Sequence, residues 1–344
     1  MSDEIENQEL EAHVEYTRKK DNYFLHIGLF ILTVITTIFA GVQWTTGISE
    51  GPYEFALLKS GLLYSASILF IIGCHEFGHY FAARIHKVDA TLPFFIPFPP
   101  IPMFLNFGTM GAVIKTRSPI PSKKAMFDIG IAGPLSGFVA CLIVLIAGFL
   151  SLPDVNYLLK IHPDFFSPDY GKNGIELFFG NTILFTSLKT LFISKAQFFP
   201  PMSEIYHYPL LCVGWFGMFI TAMNMLPVGQ LDGGHISYTM FGEKKSYNLA
   251  LLSVTFLFVS GFLALIHLVL IYAGMEYTFI TKYLEMGWLG WLIWGLILKF
   301  VIKLKHPPIY DDSKLNSFRM YLGYLSYFIL IISFSPVPFS GPGI

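Results

Sequence analysis

The sequence predicts an all-α polytopic membrane protein with about seven transmembrane helices and a short re-entrant β-hairpin near the cytosolic side. Three observations lead to this fold class. Hydrophobic residues make up 54% of the 344 residues and charged residues only 13%, about half the charged share of a typical globular protein. The apolar residues fall into runs long enough to cross a bilayer. One apolar segment contains too many prolines to continue as a helix.

Seven apolar stretches are long enough, or nearly long enough, to cross a membrane as helices. They cover residues 23–42, 61–83, 125–151, 208–226, 249–273, 286–302 and 320–334. Loops on the cytosolic side of a membrane carry an excess of Lys and Arg. With seven crossings, 16 of the 22 Lys and Arg residues fall on one side and 6 on the other. This asymmetry places the N-terminus in the cytosol and the C-terminus outside.

The predicted crossings divide the chain into an arm, a membrane domain and a tail. Residues 1–22 form an acidic cytosolic N-terminal arm, 23–336 the membrane-embedded domain, and 337–344 an external C-terminal tail. Within the domain, residues 152–207 form a long external connection. Its apolar piece 177–188 is too short to span, so we expect an interfacial amphipathic helix there.

The proline-rich segment 92–107 is apolar and contains five prolines. Extended backbone cannot face lipid without hydrogen-bond partners, so we expect an interfacial or re-entrant loop buried against protein. The residues that follow it, 107–115, are rich in Gly and end in β-prone residues. They predict a short strand or hairpin on the cytosolic side.

Composition also excludes some partners. The net charge is −1 and no basic tract exists, which excludes nucleic acid as a partner and leaves the lipid bilayer as the surrounding medium. The three cysteines lie inside apolar runs, so a disulfide framework is not expected. The acidic N-terminal arm does not resemble a transit peptide, and we therefore expect a bacterial inner membrane.

A metal-ligand pattern lies within the second apolar stretch, in the run His75-Glu76-Phe77-Gly78-His79. His75 and His79 are four residues apart, so both imidazoles project from one face of a helix and can hold one metal ion. Zinc is the usual ion for such a pair, and Glu76 is placed to take a proton from water. Ionisable groups inside a membrane helix are costly and therefore usually functional. The alternative is a pair of hydrogen-bonded core histidines with Glu76 as their partner.

Two histidines leave a zinc ion one protein ligand short. Asp232 is the only carboxylate between Glu204 and Glu243, and it follows the fourth apolar stretch at a depth similar to that of the histidines. Pro227 and the glycine pair 233–234 break the helix there and allow the chain to fold back. Alternatively, Asp232 begins an ordinary cytosolic loop, because Asp-Gly is a common turn pair.

The sequence HEFGH on a membrane helix, followed by NMLPVGQLDGGH, resembles the site-2 protease family of intramembrane zinc metalloproteases, in its form without a PDZ domain. The resemblance covers most of residues 61–336, with further similarity at FGTMGAV, IAGPLSG and HPP. It implies that His75, His79 and Asp232 bind one Zn²⁺ per chain and that Glu76 is the general base. It also implies that Asn224 holds the substrate backbone or the oxyanion.

The resemblance further implies that an extended substrate pairs with an edge strand. The substrate-binding residues would then be Gly108, Met110, Gly111, Ala112 and Val113. Strand addition fits the chemistry because it holds a peptide extended and exposes its carbonyls. The spacing of Gly108 and Gly111 suits a plain tight turn equally well.

Two further motifs have open interpretations. Gly133-Pro134-x-x-Gly137 marks either a gate or, as we favour, close helix packing. His235 is either a partner of the metal ligands or a solvated loop histidine.

We therefore predict an intramembrane zinc metalloendopeptidase that hydrolyses peptide bonds within or next to transmembrane segments of membrane-anchored proteins. The alternative is a noncatalytic polytopic membrane protein that binds metal, such as a chaperone or a transporter. Transporters commonly contain inverted repeats, and no repeat is visible in this sequence.

Overall fold

The computed structural model describes residues 21–47, 55–99, 106–170, 177–274, 281–309, 311 and 313–341. The predicted N-terminal arm lies almost entirely outside these residues. Parts of three other predicted segments also lie outside them: 100–105 of the proline-rich loop, 171–176 of the external connection and 342–344 of the C-terminal tail.

Helices make up most of the described chain. They are α1 (Tyr23–Thr46), α2 (Phe55–Ile85), α3 (Lys123–Leu150), α4 (Val155–Ile161), α5 (Ile183–Phe192), α6 (Pro209–Asn224), α7 (Asp232–Phe241), α8 (Glu243–Tyr272), α9 (Thr281–Leu284), α10 (Gly290–Leu296) and α11 (Ser317–Ser333). A 3₁₀ turn, Ile205–His207, precedes α6, and a π-helical segment, Ile297–Ile302, continues α10.

Several helices begin where the sequence supplies an N-cap. In each case a side-chain oxygen accepts a hydrogen bond from a backbone N–H of the first turn. The capping residues are Asn22, Ser122, Asp154, Thr182 and Asn316. Local sequence therefore determines where α1, α3, α4, α5 and α11 start.

Four of these helices, α1, α2, α3 and α8, are long and apolar enough to cross a membrane. The chain is an integral membrane protein. The other three predicted crossings correspond to shorter apolar helices, which are α6, Gly290–Ile302 and α11. That all seven stretches cross remains a prediction.

Helix α3 lies at the centre of the packing, where it contacts α2, α6 and α7, and α1 packs on α2. Small residues allow these helices to approach closely. Gly148 of α3 faces Leu211 of α6, and Gly41 of α1 faces the ring of Tyr64 on α2. This close packing brings α2, α3 and α7 together around the site described below.

A two-stranded antiparallel sheet stands beside α1. Strand β1 (Phe94–Pro97) pairs with β2 (Thr109–Val113), with Phe95 opposite Ala112. Part of the proline-rich segment is thus a strand, and not only a loop as expected, because its prolines flank or end the paired residues. His26 of α1 stacks on Phe94 with ring centroids 4.0 Å apart. The re-entrant placement of this hairpin remains a prediction.

Ion pairs join the helix ends on one side of the molecule. Asp21, just before α1, accepts a hydrogen bond of 2.6 Å from Arg117. Asp128, in α3, accepts two hydrogen bonds from Arg319 of α11 and lies 2.8 Å from His86, which follows α2. This side, called here the basic end, is the one predicted to face the cytosol.

The opposite end contains the second small sheet. Strand β3 (Phe178–Phe179) pairs antiparallel with β4 (Phe339–Ser340). The predicted helix 177–188 is therefore a strand followed by α5, and the predicted tail 337–344 is in part a strand. Phe339 is buried against Trp215 of α6, so the apolar burial of one aromatic side chain holds this part of the tail in place.

Candidate metal centre

Helix α2 presents His75 and His79 one turn apart, and the third ligand candidate reaches them through a sharp reversal of the chain. After α6 ends at Asn224, residues 225–231 turn back and Asp232 begins α7. A Cβ on Gly233 would overlap the carbonyl of Met225. Glycine at this position thus allows the close approach of the two chain segments that brings Asp232 to α2.

The structure brings His75, His79 and Asp232 together. The two Nε2 atoms lie 3.1 Å apart, and the Asp232 carboxylate oxygens lie 3.2 Å from Nε2 of His75 and 3.3 Å from Nε2 of His79. Ligand atoms on a tetrahedral zinc ion are separated by about 3.4 Å, given bond lengths near 2.1 Å. Two imidazole nitrogens and one carboxylate also suit zinc chemically, so the residues fit this ion.

The orientation of His79 is fixed by the neighbouring helix. Its Nδ1 lies 2.7 Å from the backbone carbonyl oxygen of Ile129 in α3. Because a carbonyl can only accept, Nδ1 carries the proton and the lone pair of Nε2 points toward His75 and Asp232. Both histidines are buried.

Helix α3 supports the two imidazoles through the glycines of the GPLSG motif. A Cβ on Gly133 would overlap the ring of His79, and one on Gly137 would lie 3.0 Å from the Cβ of His75. The motif therefore serves close packing against these two side chains.

Glu76 lies beside the three convergent side chains. Its Oε1 is 3.9 Å from Nε2 of His75, and its Oε2 accepts a hydrogen bond of 3.1 Å from the backbone N–H of Ile114. Ile114 directly follows β2. The strand thus orients a buried carboxylate, and sequence reasoning missed this contact because nothing in the spacing links Ile114 to Glu76.

A cavity of about 540 Å³ opens onto these groups, and Asn224 lines it from the C-terminal end of α6. Of the predicted substrate residues, Ala112 and Val113 line the cavity. Gly108 instead packs against α1, where Thr36 donates a hydrogen bond to its carbonyl, and Met110 is exposed. Gly111, within β2, has a φ of +98°, a conformation that favours glycine.

His235 and His306 also line the cavity. Nδ1 of His235 lies 2.7 Å from Nε2 of His306, and the His306 ring stacks on Tyr238 with centroids 4.3 Å apart. His235 is thus a helical residue that contacts a second histidine, which neither earlier interpretation anticipated. The HPP motif was the one sequence signal at His306.

Comparison with known proteins shows which proteins the chain resembles in sequence. The chain is 31% identical over 257 residues to a rice protein (Oryza sativa subsp. japonica) named probable zinc metalloprotease EGY1, chloroplastic, an alignment covering 68% of this chain and 41% of that protein. It is 28% identical over 315 residues to probable zinc metalloprotease EGY2, chloroplastic, from Oryza sativa subsp. indica, covering 87% and 52%. The chain thus spans about half the length of these curated relatives.

No solved structure matches the chain. The model of Peptidase family M50 matches residues 63–268. The matched range contains His75, Glu76, His79, Asn224 and Asp232, which the fold gathers around one cavity. The chain belongs to peptidase family M50.

Proposed function

We propose that the chain is an intramembrane zinc metalloendopeptidase that cleaves membrane-anchored proteins within or next to their transmembrane segments. One observation carries the proposal: His75, His79 and Asp232 converge at the wall of one cavity, with Glu76 beside them. Membership of a peptidase family supports it, as do relatives whose names describe them as zinc metalloproteases.

His75, His79 and Asp232 would hold one Zn²⁺ per chain. The ion supplies Lewis-acid chemistry, which polarises a carbonyl and lowers the pKa of water. The protein's own contribution is to hold two imidazoles and a carboxylate at mutual distances of 3.1–3.3 Å in a site largely shielded from solvent.

Glu76 acts as the general base and then as the general acid. Its Oε2 is held by the Ile114 N–H, which leaves Oε1 to take a proton from the attacking water and deliver it to the leaving amine. Because Glu76 is buried and held by one backbone group, its position is set before substrate binds. Preorganisation of this kind lowers the barrier of the chemical step.

Asn224 and β2 position the substrate. The Asn224 carboxamide donates a hydrogen bond to the substrate carbonyl oxygen, whose negative charge grows as the carbonyl is attacked. An extended substrate adds as a strand to β2, along Met110, Gly111, Ala112 and Val113. Gly108 precedes β2, and its carbonyl already accepts hydrogen bonds from Thr36 and from the backbone N–H of Phe98, so we leave it out of the proposed binding edge. Among the described residues β2 pairs with β1 alone, and Ala112 and Val113 reach the cavity.

The N-terminus lies in the cytosol in this proposal, and cleavage occurs nearer the cytosolic face. The excess of Lys and Arg at the basic end supports this orientation. A bacterial inner membrane stays a prediction, and the plant relatives are named as chloroplastic.

A noncatalytic metal-binding membrane protein is the less favoured alternative. A purely structural metal site needs no carboxylate beside its ligands, whereas Glu76 lies 3.9 Å from His75 and is oriented by a backbone hydrogen bond. The family match and the names of the relatives also favour a peptidase.

The substitution Glu76→Gln tests the proposal. We expect zinc content to stay unchanged, because Glu76 is not a ligand, and cleavage of single-pass membrane reporter proteins in liposomes to fall at least about 100-fold. The matched control is Glu243→Gln, at the exposed start of α8, which should cleave like the unmodified chain. Retained turnover by Glu76→Gln would remove Glu76 from its role.

A further inference from the structure

A second group of metal-ligand side chains lies at the end of the molecule opposite the basic end. His162 follows the last residue of α4, Glu204 caps the 3₁₀ turn that precedes α6, and His207 is the last residue of that turn. His162 is distant in sequence from Glu204 and His207, yet one ligand atom of each of the three lies within 4.8 Å of the others.

The distances within this group resemble those of a metal coordination shell. Nε2 of His162 lies 2.9 Å from Nε2 of His207, and Oε2 of Glu204 lies 3.7 Å and 3.6 Å from these two nitrogens. The two carboxylate distances are too long for hydrogen bonds. The two carboxylate distances are close to the spacing of about 3.4 Å between ligand atoms on tetrahedral zinc, and the two imidazole nitrogens lie closer together, at a hydrogen-bond distance.

His207 is held in the form that binds a metal. Its Nδ1 lies 2.7 Å from the backbone carbonyl oxygen of Thr45, at the end of α1, so Nδ1 carries the proton and Nε2 presents a lone pair to His162. The same arrangement orients His79 against Ile129 in the first centre.

The surroundings fix the other two side chains and leave one side open. Ser203 donates a hydrogen bond of 3.1 Å to Oε1 of Glu204, and Oε2 of the same carboxylate faces the two imidazoles. The side chain of His162 is 30% exposed, whereas that of His207 is 1% exposed. A cation can therefore enter past His162, and water can complete the coordination.

We propose that His162, Glu204 and His207 form a second metal site, which binds a zinc-class divalent cation. Two nitrogens and one carboxylate oxygen are the donor set that zinc prefers. All three residues lie within the external connection 152–207, and His207 also contacts the backbone carbonyl of Thr45 at the end of α1. A bound cation therefore fastens the part of the connection around His162 to the turn that precedes α6, beside the end of α1, and we assign the site a structural role that is independent of catalysis.

Zinc stoichiometry in the Asp232→Ala background tests this proposal without interference from the first centre. A chelator first removes bound metal from each purified protein. The protein is then incubated with Zn²⁺, and unbound Zn²⁺ is removed before the zinc content is measured. We expect one equivalent of zinc in Asp232→Ala and none in Asp232→Ala with His162→Ala. The matched control adds His267→Ala instead, since His267 lies 3.9 Å from a single carboxylate, that of Glu285. This control variant should still bind one equivalent of zinc.

Thermal unfolding separates loss of the metal from loss of the fold. In chelator, Asp232→Ala and its His162→Ala derivative should melt at the same temperature, because His162 is partly exposed. Added Zn²⁺ should raise the melting temperature of the first protein only. Equal zinc content in the two proteins, or no zinc in Asp232→Ala, would overturn the proposal. A failure of the peptidase proposal would be seen in a separate experiment: the Glu76→Gln variant would still cleave the reporter proteins.

Discussion

His79 depends on two residues of α3 to present its ligand atom. The backbone carbonyl of Ile129 accepts a hydrogen bond of 2.7 Å from Nδ1. Gly133 packs against the ring, which occupies the space that a Cβ at this position would need. Together these contacts fix both the tautomer and the position of the imidazole. Supporting contacts of this kind commonly contribute 10–100-fold to metal affinity.

The substitution Gly133→Ala should therefore weaken zinc binding about 10–100-fold, because the new Cβ displaces the His79 ring. Competition with a chelator of known affinity measures the effect. Gly28→Ala is the matched control: Gly28 also lies in an apolar helix, and a Cβ there meets no atom within 4 Å. Equal zinc affinity in both variants would show that Gly133 does not position His79.

For single residues, the sequence predicts contacts within one helix or strand better than contacts between separate helices and strands. The spacing of His75 and His79 places both on one helix face, and Glu76 adjoins them. Asp232 required an argument about depth and chain reversal. The contacts of Ile114 with Glu76 and of Gly133 with His79 leave no periodic sign in the sequence, because they join separate elements.

Helix α11 is fastened to the central helix by one bidentate ion pair. Nε and Nη2 of Arg319 donate to the two carboxylate oxygens of Asp128 at 2.8 Å and 2.7 Å. Each of these side chains is only about a quarter exposed. A paired arginine with two parallel hydrogen bonds is among the stronger polar contacts in proteins.

We expect Arg319→Gln to lower the free energy of unfolding by about 1.5–3 kcal/mol, since it removes charge-assisted hydrogen bonds from a partly buried carboxylate. Reversible unfolding in mixed detergent micelles measures this change. Arg84→Gln is the matched control, because Arg84 is more exposed and lies 3.9 Å from Asp89. It should change stability by less than about 1 kcal/mol. Similar losses in both variants would contradict a special role for the Arg319 pair.

The helices and strands whose own residues carry a recognisable sequence pattern were the easier ones to predict. The long apolar runs correspond to α1, α2, α3 and α8. The predicted helix 177–188 was only partly right, because Phe178 and Phe179 pair with Ser340 and Phe339 at the far end of the chain. Pairing over such a sequence distance is decided by tertiary packing, which hydrophobic periodicity does not report.

For the whole molecule, the two ends differ in chemistry. One end gathers Arg117, Arg319 and His86 against carboxylates, and the other gathers β3, β4 and the proposed second metal site. The first metal centre joins α2 to the chain that follows α6. Its assembly thus depends on the packing of α2 and α7 against α3, and no single segment could form it.

The most direct test of this account is the zinc content of the purified full chain beside that of Asp232→Ala. The account predicts that the unmodified chain binds one equivalent of zinc more than the variant, because Asp232 completes a centre with His75 and His79, some 150 residues earlier in the sequence. Equal zinc contents in the two proteins would contradict it.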